Sequence, residues 1–278
     1  MILCFYWQEV ESFKEKHKII DVPFTYLDVP FTYPVFASAK AVGRRKPSVS
    51  QMSDLSLSGK WDGIMAANKG EALDEHLSKE MLAECGIPVV AEKTVSSAEE
   101  ADAAASDLGF PVVMKGLAPG AVHKSEAGLV RLDIRSGDEA KGHFEELRAI
   151  VGEEGKILVQ RQIPGESELI VGMIRDPQFG PCVMCGLGGV LAEVLGDAVF
   201  ATAPLSIEEA LALIGRLKTQ KLLNGFRGAP PADRESLARI LVRVGELGEA
   251  IPQIREIDIN PLILSGGKPV AVDASVVL

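Results

Sequence analysis

Between Gly109 and Leu132 the chain reads GFPVVMKGLAPGAVHKSEAGLVRL. A short apolar run from Phe110 to Met114 delivers Lys115. A loop rich in glycine, proline and alanine comes next, with His123 and Lys124 side by side, and Gly128 opens a second apolar run. Two strands joined through a glycine-rich connection are the constraint around which the rest must be arranged. The glycines let backbone N–H groups approach an anion and the lysine neutralises its charge, so phosphate handling is one reading. A buried strand running into a solvated loop is the other.

The totals narrow the partners. Across 278 residues the formal net charge is -10, which argues against a surface for nucleic acid or anionic membrane. A polyphosphate would need a local basic cluster or a metal ion. No apolar run is long enough for a membrane span. The start, MILCFYW followed by Gln8 and Glu9, makes a poor signal peptide. Four cysteines without disulfide spacing fit a reducing compartment, so the expected location is cytoplasmic.

Residues 1–70 differ from the rest of the chain. Most aromatic residues sit there, Asp21–Tyr26 recurs as Asp28–Tyr33, and Val42–Lys60 is polar, basic and serine-rich. This reads as an arm, a linker or the remnant of a preceding domain. From Glu71 the pattern changes. Leu73, Leu77, Met81 and Leu82 share a helical face and Gly86 ends the helix. Ile87–Ala91 reads as a short strand. Ser96 or Ser97 caps a helix running to Leu108, Asp138–Ile150 is a third helix, and Lys156–Ile163 is a strand. Ser167–Asp176 and Pro181–Gly189 form a hairpin-like pair. Ile207–Leu217, capped by Ser206, and Asp233–Gly248 are helices flanking a loop at Lys221–Ala232. Glu256–Leu264 and Pro269–Val276 are strands joined at Ser265-Gly266-Gly267. The order of elements predicts an α+β (α/β) plan with mixed or antiparallel sheets rather than a doubly wound parallel one.

The last hairpin carries a second candidate. Glu256, Asp258 and Asn260 alternate along one strand and share a face. Pairing about the Gly-Gly turn brings Asp273 near Asn260. Oxygen ligands on neighbouring strands suit Mg²⁺, which keeps waters and substrate phosphates in its shell; a solvated edge hairpin is the other reading. The strongly apolar flanks make the bland reading costly, since buried Asp and Asn need partners. Cys182 and Cys185, three apart in a strand, point to opposite faces and read as core rather than metal ligands. His76 and His143 read as exposed helix residues.

The segments PVVMK, HKSEAGLV, VQRQIPGESELIVGMIRDPQFGP, GLGGVLAEVLGD and EIDINPL with AVDA occur in order over about residues 72–278. Together they resemble the ATP-grasp part of ADP-forming acyl-CoA (acetyl-CoA) synthetases, relatives of the succinyl-CoA synthetase β subunit. The resemblance implies an ATP-grasp fold, two α+β lobes clasping ATP or ADP with Mg²⁺: lobe A at about 71–160 and lobe B at about 161–278. It implies Lys115 on the phosphates, Gln160, Arg161, Gln162 and Ile163 as the hinge reading adenine through backbone groups, and Glu168 near the ribose. Asn260 and Asp273 become the Mg²⁺ ligands, with Asp258 a neighbour facing the phosphoryl group. His123 resembles the histidine that accepts phosphate and relays it to a partner, and Lys124 would offset that charge. Glu126 and Leu129 depart from the family pattern, which has aspartate and glycine there.

The implied reaction is acyl-CoA + ADP + phosphate ⇌ carboxylic acid + ATP + CoA. The CoA-binding half has no counterpart in the sequence: no GxGxxG opens a helix after a strand. The expected partner is therefore an α-type, CoA-binding subunit or domain in a hetero-oligomer. Two alternatives remain: a different ATP-grasp carboxylate ligase, which would not need His123, or a non-catalytic nucleotide-binding subunit associated with a protein acetyltransferase.

Overall fold

The structure, a computed structural model, describes residues 59–117, 128–153, 155–165, 167–189, 196–225 and 228–278. His123, Lys124, Glu126 and residues 1–58 lie outside them. So does Glu193 in the GLGGVLAEVLGD segment.

Local chemistry sets the helix ends. After α1 (Lys60–Ala67), helix α2 (Glu75–Glu84) starts where the Asp74 side chain accepts the Leu77 N–H at 2.8 Å. Strand β1 (Glu92–Val95) leads to α3 (Ala98–Leu108), where the Ser97 hydroxyl accepts the Glu100 N–H. Gly109, at φ 80°, ends it in a conformation that side-chain-bearing residues resist. Strands β2 (Val112–Leu117) and β3 (Val130–Ile134) precede α4 (Gly137–Val151), which is capped by Ser136, and β4 (Lys156–Arg161) comes after it.

These form a four-stranded antiparallel sheet of order β1-β4-β2-β3. One face packs on α3 and α4 through Val112, Met114, Ile157, Val159, Phe144 and Leu147. Strand alternation therefore sends Val113, Lys115, Leu158 and Gln160 to the other face.

The remaining elements are β5 (Ser167–Asp176), β6 (Gly180–Leu187), β7 (Ala198–Thr202), α5 (Ile207–Ile214), α6 (Gln220–Leu223), α7 (Arg234–Ala250), β8 (Glu256–Ser265), β9 (Lys268–Ala271) and β10 (Ala274–Val277). The strands form a six-stranded antiparallel sheet of order β10-β8-β5-β6-β7, with β9 pairing β8. Its core is aliphatic: Leu169, Val171 and Met173 of β5 and Ile257 and Ile259 of β8 meet Leu237, Leu241 and Val244 of α7. Fully burying each such side chain contributes about 1.5–3 kcal/mol.

Several expectations change. Trp61 is buried in the large core, with its indole N–H donated to Glu84 at 2.8 Å, so residues 59–70 are part of the packed body rather than an arm. Met81 and Leu82 of α2 belong to the same core, so the division near residue 160 does not follow the two cores. Ile87–Ala91 makes only an isolated bridge, Val89 with Ala271, and the strand begins at Glu92. The stretch Pro269–Val276 is two strands interrupted at Val272 and Asp273. Strand β7 is an addition to the expected elements; it is a short edge strand in which Val199 and Phe200 are both buried, so it lacks alternation.

Candidate active site between the two sheets

Lys115 sits near the end of β2 on the face turned away from α3 and α4, and only 6% of it is exposed. Its ammonium donates to Glu75 Oε1 at 2.6 Å, and at 3.4 Å to both the Val272 carbonyl and Asp273 Oδ2. Burial lowers its affinity for the proton, but Asp273 and Glu75 outweigh that and hold it above the ordinary lysine value. The small sheet thus places a permanent cation against the large sheet.

Asp273 reaches this point because the chain breaks stride. The β5–β8 register shifts between Leu169 and Val171, opposite Asn260 and Pro261. The Asn260 N–H then donates to the Asp273 carbonyl at 3.1 Å, and the Val272 N–H to the Pro261 carbonyl at 3.1 Å. The expected neighbourhood of Asn260 and Asp273 is observed, at an irregularity rather than in a plain hairpin. Alternation along β8 keeps Glu256, Asp258 and Asn260 half-buried while Ile257 and Ile259 are buried.

Asp258 Oδ1 is buried and has no hydrogen-bond partner among the described residues. Burial pushes this carboxyl up to about 7, and the like charges of Glu256 and Asp273 push the same way. Among the described residues no three His, Cys, Asp or Glu side chains form a ready-made metal cluster. An orphaned carboxyl oxygen two residues from Asn260, with Asp273 opposite, nevertheless fits a hard divalent cation whose shell is completed by water and phosphate oxygens.

The hinge connects β4 to β5. The Arg161 N–H is committed to the Ala91 carbonyl and the Gln162 N–H to the Pro111 carbonyl. The Gln162 side chain accepts the Asp133 N–H at 2.8 Å. Among the described residues the Ile163 N–H has no backbone partner, which leaves it open for a ligand. The Gln160 side chain is buried and turned inward to Lys79 at 2.9 Å.

Glu168 is exposed and stands apart from the lysine cluster. Its carbonyl accepts the Gly188 N–H at 2.8 Å, and a Cβ on Gly189 would lie 2.9 Å from its Oε2. Gly189, at φ 70°, adopts a conformation that favours glycine, whereas the carboxylate end of Glu168 could move aside. The GLGG turn therefore closes against Glu168. Cys182 and Cys185 are buried in β6, as expected of core residues; burial pushes the Cys185 thiol up to about 12. His76 is only partly exposed and its Nδ1 lies 2.9 Å from Glu92 Oε1, so it is tied in rather than a free surface residue.

Sequence reasoning missed Glu75, Lys79 and Glu92. Lys79 Nζ contacts Glu75 Oε1 at 2.7 Å, Gln160 Oε1 at 2.9 Å and the Val272 carbonyl at 3.3 Å, and makes a close ion pair with Glu92. A Glu and a Lys four apart on a helix look like a solvated surface pair, and nothing in their spacing marks them as buried.

The family model described as an ATP-grasp domain matches residues 65–278. The acetate–CoA ligase (ADP-forming) I subunit beta of Pyrococcus furiosus is 41% identical over 219 residues, covering 77% of this chain and 94% of the relative. The acetate–CoA ligase (ADP-forming) I of Archaeoglobus fulgidus is 40% identical over 198 residues, covering 69% of this chain; the match spans 29% of that longer protein. A solved dinucleotide-forming acetyl-coenzyme A synthetase 1 from Ca. Korarchaeum cryptofilum, in complex with coenzyme A and Ca-AMPCP, superposes with TM-score 0.74 at 40% identity, covering 80% of this chain and 100% of that one. Another structure of the same synthetase holds coenzyme A and Mg-AMPPCP, with its phosphohistidine segment pointing towards the nucleotide site (TM-score 0.70, 39% identity, coverage 80% and 100%). The chain belongs to the ATP-grasp domain family.

Proposed function

We propose that this chain is the nucleotide-handling, β-type part of an ADP-forming acyl-CoA synthetase, catalysing with an α-type, CoA-binding partner the reaction acyl-CoA + ADP + phosphate ⇌ carboxylic acid + ATP + CoA. The observation that carries this is the meeting of Lys115 and Asp273 between the two sheets, 3.4 Å apart. Cation and acid arrive there from opposite lobes, as a triphosphate with its metal requires. Similarity to β subunits over nearly their whole length supports the rest.

In this reading Lys115 binds the phosphates, the Ile163 N–H and the hinge carbonyls of Gln160–Gln162 read the base, and Glu168 lies toward the ribose. Asn260 and Asp273 hold Mg²⁺, which when bound supplies neutralising charge to the phosphate oxygens. Asp258 faces the phosphoryl group. The imidazole of His123 attacks the γ-phosphorus of ATP; the bond to the bridging oxygen breaks, ADP leaves, and the phosphoramidate carries phosphate to the partner. Lys124 offsets the charge on the phosphorylated loop. Lys115 makes its contribution through position and charge. The compartment is the cytoplasm and the assembly a hetero-oligomer; among the described residues no helix is long and apolar enough to cross a membrane.

The test is incubation of the chain with Mg-[γ-³²P]ATP, with and without an α-type partner. Acid-labile label on the chain, absent in His123→Ala, and acyl-CoA formation only with the partner are expected. Full ligase activity retained in His123→Ala would favour a carboxylate ligase working without a phosphohistidine. Binding of Mg-ATP with neither label nor turnover would favour a non-catalytic subunit.

A further inference from the structure

The two buried ammonium groups of the site share their acceptors. Glu75 Oε1 takes Lys79 at 2.7 Å and Lys115 at 2.6 Å, and the Val272 carbonyl takes the same pair at 3.3 and 3.4 Å. Glu75 and Lys79 are 2% and 1% exposed. They come from α2, which packs in the large core, while Lys115 and Gln160 come from the small sheet. A fold that needed only stability has no reason to bury charges there, because replacing such pairs by apolar residues is often neutral or stabilising.

The contact lengths suggest a division of labour around Lys115. The contact to Glu75 is short, whereas those to Val272 and Asp273 are long. An incoming phosphate can displace the long ones, leaving Asp273 to a metal, while Glu75 keeps the ammonium aimed. Lys79 holds Glu75 and Gln160, the buried first residue of the hinge.

Resting on the nucleotide reading above, we infer that Glu75 and Lys79 are positioning residues. They act as one bracket that fixes the phosphate lysine on β2 relative to the base-reading hinge after β4. Neither touches substrate; both act through Lys115 and Gln160.

The test is Mg-ADP affinity of the full chain by titration calorimetry, at a temperature well below the melting point of each variant. Glu75→Gln keeps volume and loses charge; Lys79→Met keeps the stem and loses the ammonium. Each is expected to bind about 10-fold or more weakly, the cost typical of losing an outer-shell partner. In a Lys115→Met background Glu75→Gln is expected to add less than about twofold, because the residue it aims is gone. An unchanged or tighter affinity in Glu75→Gln overturns the inference, as does an equal loss in both backgrounds, which marks a purely structural role. If Glu75→Gln does not fold, Glu75→Asp, which keeps the charge but shortens its reach, is read in the same two backgrounds by the same criteria. Failure of the unmodified chain to bind Mg-ADP removes the nucleotide reading and this inference together; binding by the unmodified chain with the wrong variant pattern removes this inference alone.

Discussion

Buried acids occur in two settings in this molecule, and they are satisfied differently. In the large lobe, Asp197 accepts the backbone N–H groups of Lys218 and Thr219 at 2.8 and 2.7 Å, and Asp176 accepts those of Gln178 and Phe179 at 2.7 and 2.9 Å. These carboxylates hold backbone amides, Asp197 together with the Thr219 hydroxyl. Between the lobes, Glu75 is met by side-chain ammonium groups, one of them 40 residues away. The first kind holds backbone, within a turn at Asp176 and across 21–22 residues at Asp197. The second holds side-chain ammonium groups where the two sheets meet. Burial alone does not distinguish the two settings; the chemistry of the partner does.

Lys115→Met is the sharpest way to break the contrast. Loss of a preorganised charge at a phosphoryl-transfer site is expected to slow labelling from Mg-[γ-³²P]ATP by about 10²–10³-fold, with a cooperative unfolding transition retained in urea. Asp197→Ala is expected to do the reverse. It strands two backbone donors and lowers unfolding stability by about 2–3 kcal/mol, while Mg-ADP affinity measured on the folded protein stays the same. Equal effects of the two variants on affinity would erase the distinction.

Ser206→Ala is a smaller control within the large lobe. Ser206 forms a reciprocal capping box with Glu209 at the start of α5. Its loss is expected to cost about 1 kcal/mol in the same urea titration.

The smallest effect concerns the rim of the network. The hydrogen bond to Glu92, against an opposing effect of burial, raises His76 above its ordinary value of 6.5. A group raised in the folded state stabilises fully below its unfolded value and loses that contribution as pH rises through the folded one. A decline of a few tenths of a kcal/mol is expected as pH climbs from about 6.5 upward, and it is expected to vanish in His76→Gln. A pH-independent difference between the two proteins would show that the pair carries no charge.

Much of this was legible in the sequence. Ser97 and Ser206 cap helices with the chemistry their positions demand. Ser167–Asp176 is a strand over the residues its pattern predicts, and Asn260 meets Asp273. What escaped depends on contacts distant in sequence. Trp61 looks like part of an aromatic-rich arm until its indole is seen against Glu84. The polar side of α2 reads as solvated because periodicity reports which face is apolar, not whether the opposite face is also covered. Glu75 and Lys79 are covered by a sheet whose approach no local pattern announces. The break at Val272 and Asp273 was equally hidden, since it arises from a register shift opposite Asn260 and Pro261. Local rules found the strands that carry Lys115 and Asn260; the contacts of Glu75 with Lys115 and of Lys79 with Gln160 are a property of how the lobes meet.

The central claim is that one nucleotide is gripped from both sheets at once. Hydrogen–deuterium exchange of the full chain, with and without Mg-ADP, tests it most directly. The account predicts slowed exchange together in β2 around Lys115, in the hinge at Ile163 and in the β8–β10 segment around Asn260 and Asp273. Protection confined to one sheet, or absent from both at saturating Mg-ADP, would contradict it.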